Sequence, residues 1–315
     1  MKRVLSLALT LFLAAPALAQ DSQPTEKPAA KDGDVEFPSA EVAKEDAAFK
    51  VKPAQPGEVR SEAASLDVDM KMHVDMGGGQ GQDMNQKMTS SWEREVTITG
   101  AEADGTITAL KVKFTKFAEK QSMGGMGGPE GGDEKKAKLE GKTFTVETLD
   151  DKSLEIKDDA GAKVEDFFVR RQVQQAANSA IRGAKDGFHS ALPKDGALKP
   201  GQKLDSPEQP LRAMLDMQAD EKVKFEKKEL VYKGTRTIAG KKCGVFDIRV
   251  TISQDAGAGP VMSMILGGEV ALDLASGRVL LTHLGGKLKL DGSDPNGPSV
   301  TGGGVVKVKL TSDVK

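Results

Sequence analysis

Leu66-Asp67-Val68-Asp69-Met70-Lys71-Met72-His73-Val74-Asp75-Met76 is the stretch whose reading decides the fold. Apolar side chains take the even positions and charged or imidazole side chains the odd ones, a period of two that belongs to a strand with one face buried and one in water. Gly77-Gly78-Gly79-Gln80-Gly81 interrupts the run, and Met84, Met88, Trp92, Val96 and Ile98 resume it on even positions. The two runs therefore predict a long hairpin with a glycine-rich tip.

The same alternation continues outward. Thr106 to Phe117 repeats it through Leu110, Val112 and Phe114, and Thr143–Thr148 with Ser153–Ile156 forms a shorter pair around Asp150-Asp151. Further along, Val223 to Tyr232, Gly244–Ser253, Val261–Leu274, Arg278–Leu290 and Val305–Leu310 read as strands, with a glycine bulge expected at Gly285-Gly286. Gln121–Gly132, containing Met123 and Met126 among glycines, is low in complexity and predicts a flexible loop over about residues 119–138. Between the strand-rich halves the period changes. Val164, Phe167, Phe168, Ala176, Ala177, Ala180 and Ile181 recur at helical spacing, which predicts a helix over Lys163–Arg182 stopped by Gly183, and Pro207–Gln218 predicts a shorter one. The fold expected is mainly β (α+β): a curved antiparallel sheet or half-barrel of about ten strands with one or two helices packed on one face. It forms a single domain over residues 62–315, with a central helical segment over about 163–218.

Met1–Gln20 has the layout of a secretory signal: Lys2 and Arg3, an apolar run from Val4 to Ala15, then Ala17-Leu18-Ala19. Cleavage after Ala19 is expected, leaving a mature chain that begins at Gln20 and is periplasmic or extracellular. Gln20 stands where a lipoprotein would need its lipid-accepting cysteine. The run is too short to span a bilayer, and no other segment is long and apolar enough to do so. Residues 20–61 carry Pro24, Pro28, Pro38, Pro53 and Pro56 among Ala, Lys, Glu and Asp and are expected to be a disordered tether. The 45 basic and 47 acidic residues are mixed along the chain, giving a formal charge of −2 that offers no single-sign field to nucleic acid. Cys243 is the only cysteine, so no internal disulfide is available and the fold depends on its core.

Catalytic signatures are missing: there is no G-x-S-x-G, no H-E-x-x-H, and no nucleophile beside an obvious base. His73, His189 and His283 are far apart in sequence, and a capping or solvated role suits His189. Met70, Met72, His73 and Met76 supply the thioether and imidazole chemistry that Cu(I) prefers. Alternation opposes that site, since the methionines share one strand face and His73 takes the other; core packing explains them without a metal. Asp291-Gly292-Ser293-Asp294-Pro295-Asn296-Gly297 departs from calcium-loop spacing and reads as a hairpin turn. Gly77–Gly81 lacks the following helix that a phosphate loop requires.

The central helix pair, followed by hairpins such as Lys241-Lys242-Cys243-Gly244-Val245-Phe246-Asp247 and Leu272-Asp273-Leu274-Ala275-Ser276-Gly277-Arg278-Val279, resembles uncharacterised β-rich exported domains of bacteria. More distantly, the arrangement is similar to the lipoprotein-carrier half-barrels of the Lol type, in which a curved antiparallel sheet wraps helices around an apolar cavity. That resemblance covers about residues 62–314. The functional reading is a non-enzymatic exported binding or structural module with no cofactor, holding its partner between the concave sheet face and the helix Lys163–Arg182. Its partner would be a lipid, an amphiphile or an envelope protein. Phe167 and Phe168 are the candidate ligand contacts, with plain core packing as the alternative. Two other readings stand beside this one: copper handling through the first hairpin, and an enzyme with an unrecognised site.

Overall fold

The structure, a computed structural model, describes residues 41–75, 81–123, 132–150, 153–185, 187–193, 196–204, 208–214, 223–254, 261–293 and 299–314. The expected signal, residues 20–40 of the expected tether, Met76 and the glycines up to Gly79 lie outside them, as do Met126 and Met217. Ten strands form one sheet: β1 Val59–Asp75, β2 Gly81–Ala101, β3 Ile107–Met123, β4 Thr143–Thr148, β5 Leu154–Lys157, β6 Val223–Ile238, β7 Lys241–Gln254, β8 Val261–Asp273, β9 Val279–Ser293 and β10 Ser299–Val314. The helices are α1 Gly132–Leu139, α2 Phe167–Lys185 and α3 Glu208–Met214, with a 3-10 turn at Phe188–Ala191.

Strand order is β5-β4-β3-β2-β1-β10-β9-β8-β7-β6, every pairing is antiparallel, and the sheet does not close. Two five-stranded meanders are joined edge to edge by the first and last strands, β1 and β10. The chain between β5 and β6 must therefore travel from one outer edge of the sheet to the other, and it carries α2, the 3-10 turn and α3 across one face. That face holds two large apolar cores. One gathers Val68, Met70, Met72, Phe246, Ile248, Leu266, Leu284 and Leu288 beneath Phe188, Leu198 and Leu211. The other packs Val96, Leu110, Val112, Phe114, Phe117 and Phe144 against Val169, Val173, Ala176, Ala177 and Ala180 of α2. A smaller cluster of Cys243, Val245, Ala271 and Leu280 lies on the opposite side of β7 to β9.

Several expectations change. The tether is expected to extend to residue 61, yet the chain is packed from residue 41 onward and β1 begins at Val59. Ala43 pairs with Thr235 and Ala47 with Leu198, and Ala47 and Ala54 are buried. The segment is an extended strap whose backbone hydrogen bonds go to β6, the crossover and the turn after β8, so low apolar periodicity does not mean disorder. The flexible loop contracts as well: β3 continues to Met123, residues 132–139 are helical, and 124–131 lie outside the described residues. Leu139 anchors that helix in the second core, and Lys135 pairs with Glu119 of β3. Helix α2 starts at Phe167, where the Asp166 carboxylate accepts the Val169 amide at 3.0 Å, and Gly183 does not stop it. Of the second expected helix, Glu208–Met214 is helical, and its remaining residues, 207 and 215–218, lie outside the described residues.

No bulge occurs at Gly285-Gly286, which pair in register with Gly267 and Leu266. These glycines answer a different need. Gly268, Gly286 and Gly304 lie diagonally across β8, β9 and β10, each on the face that carries the first core. At Gly286 a Cβ would run into the Ile265 carbonyl and the Leu266 side chain. Glycines on such a line let adjacent strands bend toward the core without colliding, which is how a sheet is curved. The real bulges fall between Glu93 and Arg94, near Gly100, between Phe225 and Lys227, between Tyr232 and Gly234, and at Ala271/Leu272.

Candidate functional site: the concave face

Register places Met70 and Met72 of β1 opposite Gly304 and Gly302 of β10, and Met72 opposite Met84 of β2. Met70, Met72, Met88 and Met262 are buried in the first core, while Met84 and Met264 are half-buried against it. Glycine opposite methionine gives each long thioether room to lie across the neighbouring strand. Between the two cores the covering thins. Val308 of β10, Leu66 of β1 and Ser90 of β2 form one cross-strand row; Leu310, Ala64 and Trp92 form the next. All of these are half-buried, so an apolar strip runs across the three central strands. Leu66 and Val308 abut the first core and Trp92 the second.

One end of the strip is ionic. Arg94 stacks on Trp92 with its guanidinium 3.9 Å from the ring centroid and pairs with Glu62 at 2.7 Å. Their side chains retain only 5% and 10% exposure. Beyond them Glu58 takes Arg60 at 2.7 Å and a two-pronged contact from Arg278. Burial, then the neighbouring Arg60 charge, holds the Arg278 guanidinium below its ordinary range, while Glu58 works in the other direction. A buried charge is tolerated when it is paired and hydrogen-bonded, and this cluster satisfies that condition along the seam between the cores.

The sequence-derived candidates are not brought together. Phe167 is 68% exposed, whereas Phe168 packs edge-on against Phe117 with centroids 5.7 Å apart and lies beneath the Lys135 ammonium at 5.5 Å. Adjacent residues on a helix point about 100° apart, so one ring enters the second core and the other leaves it. Met70 and Met72 face inward, and His73 is on the outer face with its Nδ1 2.6 Å from Asp83 Oδ1. Cys243 is buried, and burial followed by the nearby Asp273 charge pushes its thiol up to about 11, away from the thiolate form needed for reaction. His189 lies in the 3-10 turn beside Gly277. Among the described residues no group of three or more His, Cys, Asp or Glu is placed to hold a metal. Nothing in the sequence marks Trp92, Leu66, Val308 and Leu310 as site residues. The nearest signal is the lone tryptophan on an apolar strand face, but alternation alone does not show which part of a face a helix leaves uncovered.

The best-formed depressions among the described residues are open and of mixed polarity. One, of about 280 Å³, is lined by Ala63, Ser65, Ser91, Trp92, Glu93 and Lys309; the other, of about 410 Å³, by Lys52, Glu58, Lys241, Asp273 and Arg278. Neither is an enclosed apolar cavity. No described helix is long and apolar enough to cross a membrane.

No family model matches this chain, and no curated protein matches it. Among solved structures, a chain of lipovitellin, described for its lipid–protein interactions, aligns with 83% of this chain at 9% identity and a TM-score of 0.34. The alignment takes in 26% of the lipovitellin chain. A LolA-superfamily protein from Nitrosomonas europaea aligns over 80% of this chain and 85% of its own, at 9% identity and a TM-score of 0.15. A putative outer-membrane lipoprotein-sorting domain from Vibrio parahaemolyticus does so over 80% and 84%, at 10% identity and a TM-score of 0.14. These similarities are distant, and no functional residue is carried over from them.

Proposed function

We propose that this protein is an exported, non-enzymatic binding module whose concave face takes the apolar part of an amphiphile. Export rests on the layout of Met1–Ala19. The observation that carries the binding reading is the half-buried strip of Leu66, Val308, Leu310 and Trp92, continuous with the methionine-lined first core. Thioether side chains are unbranched, polarizable and easily repacked, which suits a surface that admits an acyl chain by rearrangement. Each methylene so buried is worth about 0.8 kcal/mol, so a chain of moderate length supplies ample binding energy even after the cost of reordering side chains.

Trp92 is the only tryptophan and lies in the strip, so it reports occupancy directly. Amphiphiles with bromine at successive positions along the acyl chain are expected to quench its fluorescence in a depth-dependent way, and Leu66→Asp to abolish the quenching while circular dichroism is retained. Native mass spectrometry of protein purified from its own host is expected to show a bound amphiphile. A clean apo mass together with unquenched Trp92 overturns the reading. A thermal shift with Cu(I) and none with amphiphiles replaces it with metal handling through the methionines.

A further inference from the structure

The strap over residues 42–50 lies in a groove shaped for it. At the edge strand β6, Ala43 exchanges backbone hydrogen bonds with Thr235 at 2.9 and 2.8 Å. On its way inward Ala47 does the same with Leu198, at 3.0 and 2.8 Å. Side chains reinforce this pairing. Tyr232 donates its hydroxyl to the Glu45 carbonyl at 2.8 Å, and the Glu45 carboxylate accepts from Thr235 Oγ1 at 2.9 Å and Lys242 Nζ at 2.7 Å. Phe49 then packs on the touching pair Tyr232 and Phe246, with centroids 6.4 and 5.7 Å away.

Two receptor-side glycines are explained by the strap. Gly234, at the β6 bulge with φ +141°, sits where a Cβ would strike the Ala43 carbonyl, and at Gly244 a Cβ would strike the Phe49 ring. Gly244 is called for by the Phe49 ring, and Gly234 answers both the strap and the positive φ of its own bulge. Residues 201–204 pair with the same edge at Leu230–Tyr232, so the strap takes the Thr235 position beyond them; a backbone pair there, a side-chain clasp for one carboxylate and a packing site for one aromatic ring form a layout by which sheets recognise extended peptides.

We propose that this groove is a peptide-recognition site, occupied in cis by the strap, that accepts in trans an extended segment of the same pattern: a carboxylate residue followed four positions later by an aromatic one. Main-chain pairing to Thr235 of β6 and to Leu198 supplies affinity, and the Glu45 and Phe49 positions supply specificity. The strap is joined to β1 through Pro53-Ala54-Gln55-Pro56-Gly57, so in the intact chain it competes as an intramolecular ligand at high effective concentration. A partner gains access when the strap lifts.

The test uses full-length protein with a protease site inserted between Lys52 and Pro53. After cutting, a fluorescent peptide spanning residues 41–52 is expected to bind with raised anisotropy. Uncut protein at the same concentration takes up none, and a Phe49→Ala peptide binds at least about ten-fold more weakly, the loss expected for an aromatic anchor. Cut protein that keeps its circular dichroism but takes up no peptide, or binds both peptides equally, overturns the proposal. Should cutting unfold the protein, native-state hydrogen exchange on the unmodified chain decides. Ala43 and Ala47 amides are expected to open at lower denaturant than those of Ile248 and Val250; opening of both sets only in global unfolding overturns the proposal.

Discussion

Tyr232 joins the strap, the edge strand and the first core through one side chain. Its ring is buried among Phe49 and Phe246 and its hydroxyl is committed to the Glu45 carbonyl. Burial first, then the negative charges of Asp46 and Glu45, pushes the phenol up to about 12. The raised value means that the folded chain holds this proton more tightly than the unfolded chain. Its stabilising contribution is complete below the ordinary value of 10.0 and is lost as pH rises toward about 12. Tyr232 is the only tyrosine, so absorbance of the phenolate titrates this one group. Native protein is expected to show one transition near 12 that moves toward 10.0 in denaturing urea. A native transition at the ordinary value shows instead that the strap does not cover the ring. The opposite sign holds at Glu45, where the hydrogen bond from Lys242, then that from Thr235, lowers the carboxyl below 4.5. This clasp is present above that value and is released as pH falls through the lowered one.

At the level of elements, the hairpin of β1 and β2 is longer than its apolar alternation. Its first half is held by Glu62 and Arg94, directly opposite each other across the strands. Removing one member of a buried pair strands the other charge, so Glu62→Ala is expected to cost about 3–5 kcal/mol. The double change Glu62→Leu with Arg94→Met is expected to recover most of that loss, because two apolar residues bury no unpaired charge. Urea denaturation followed by circular dichroism measures both; a loss below about 1 kcal/mol for the single variant refutes a structural role for the pair. The same pair explains what was legible beforehand. Leu66 to Val74 and Met84 to Ile98 announce their strands because their inward positions are mostly apolar. Arg60, Glu62 and Arg94 also face inward, and their charges erase the pattern until the partners are known. The strap was hidden for a related reason: its attachment runs through backbone hydrogen bonds and a single aromatic residue, neither of which leaves a periodic trace. The candidate site was less legible than the fold. Alternation puts Met70 and Met72 on the buried face where they lie, but Phe167 and Phe168 diverge, and the uncovered strip depends on the path of the crossover.

At the scale of the whole molecule, one continuous sheet carries two cores that meet along the ionic seam and the half-buried strip. The topology argues that they melt together. β1 and β2 give Val68, Met70 and Met88 to the first core while β2 also gives Val96 and Ile98 to the second, so neither core can lose its floor without exposing strands that the other needs. The crossover binds them further by spanning from one sheet edge to the other, and the strap touches both, with Ala47 in the first core and Ala54 in the second. Phe246→Ala and Phe117→Ala, one in each core, are each expected to cost about 3–5 kcal/mol through lost burial and the cavity left behind. Because the two rings belong to separate clusters, the double variant is expected to show a loss equal to the sum within about 0.5 kcal/mol. In every one of these proteins, Trp92 fluorescence at the boundary and circular dichroism of the whole sheet should report the same midpoint, as a single cooperative transition requires. If Phe117→Ala instead splits the transition, with Trp92 changing first and most of the sheet signal surviving, the cores are separable units, and the strip between them is a joint able to open independently of either half.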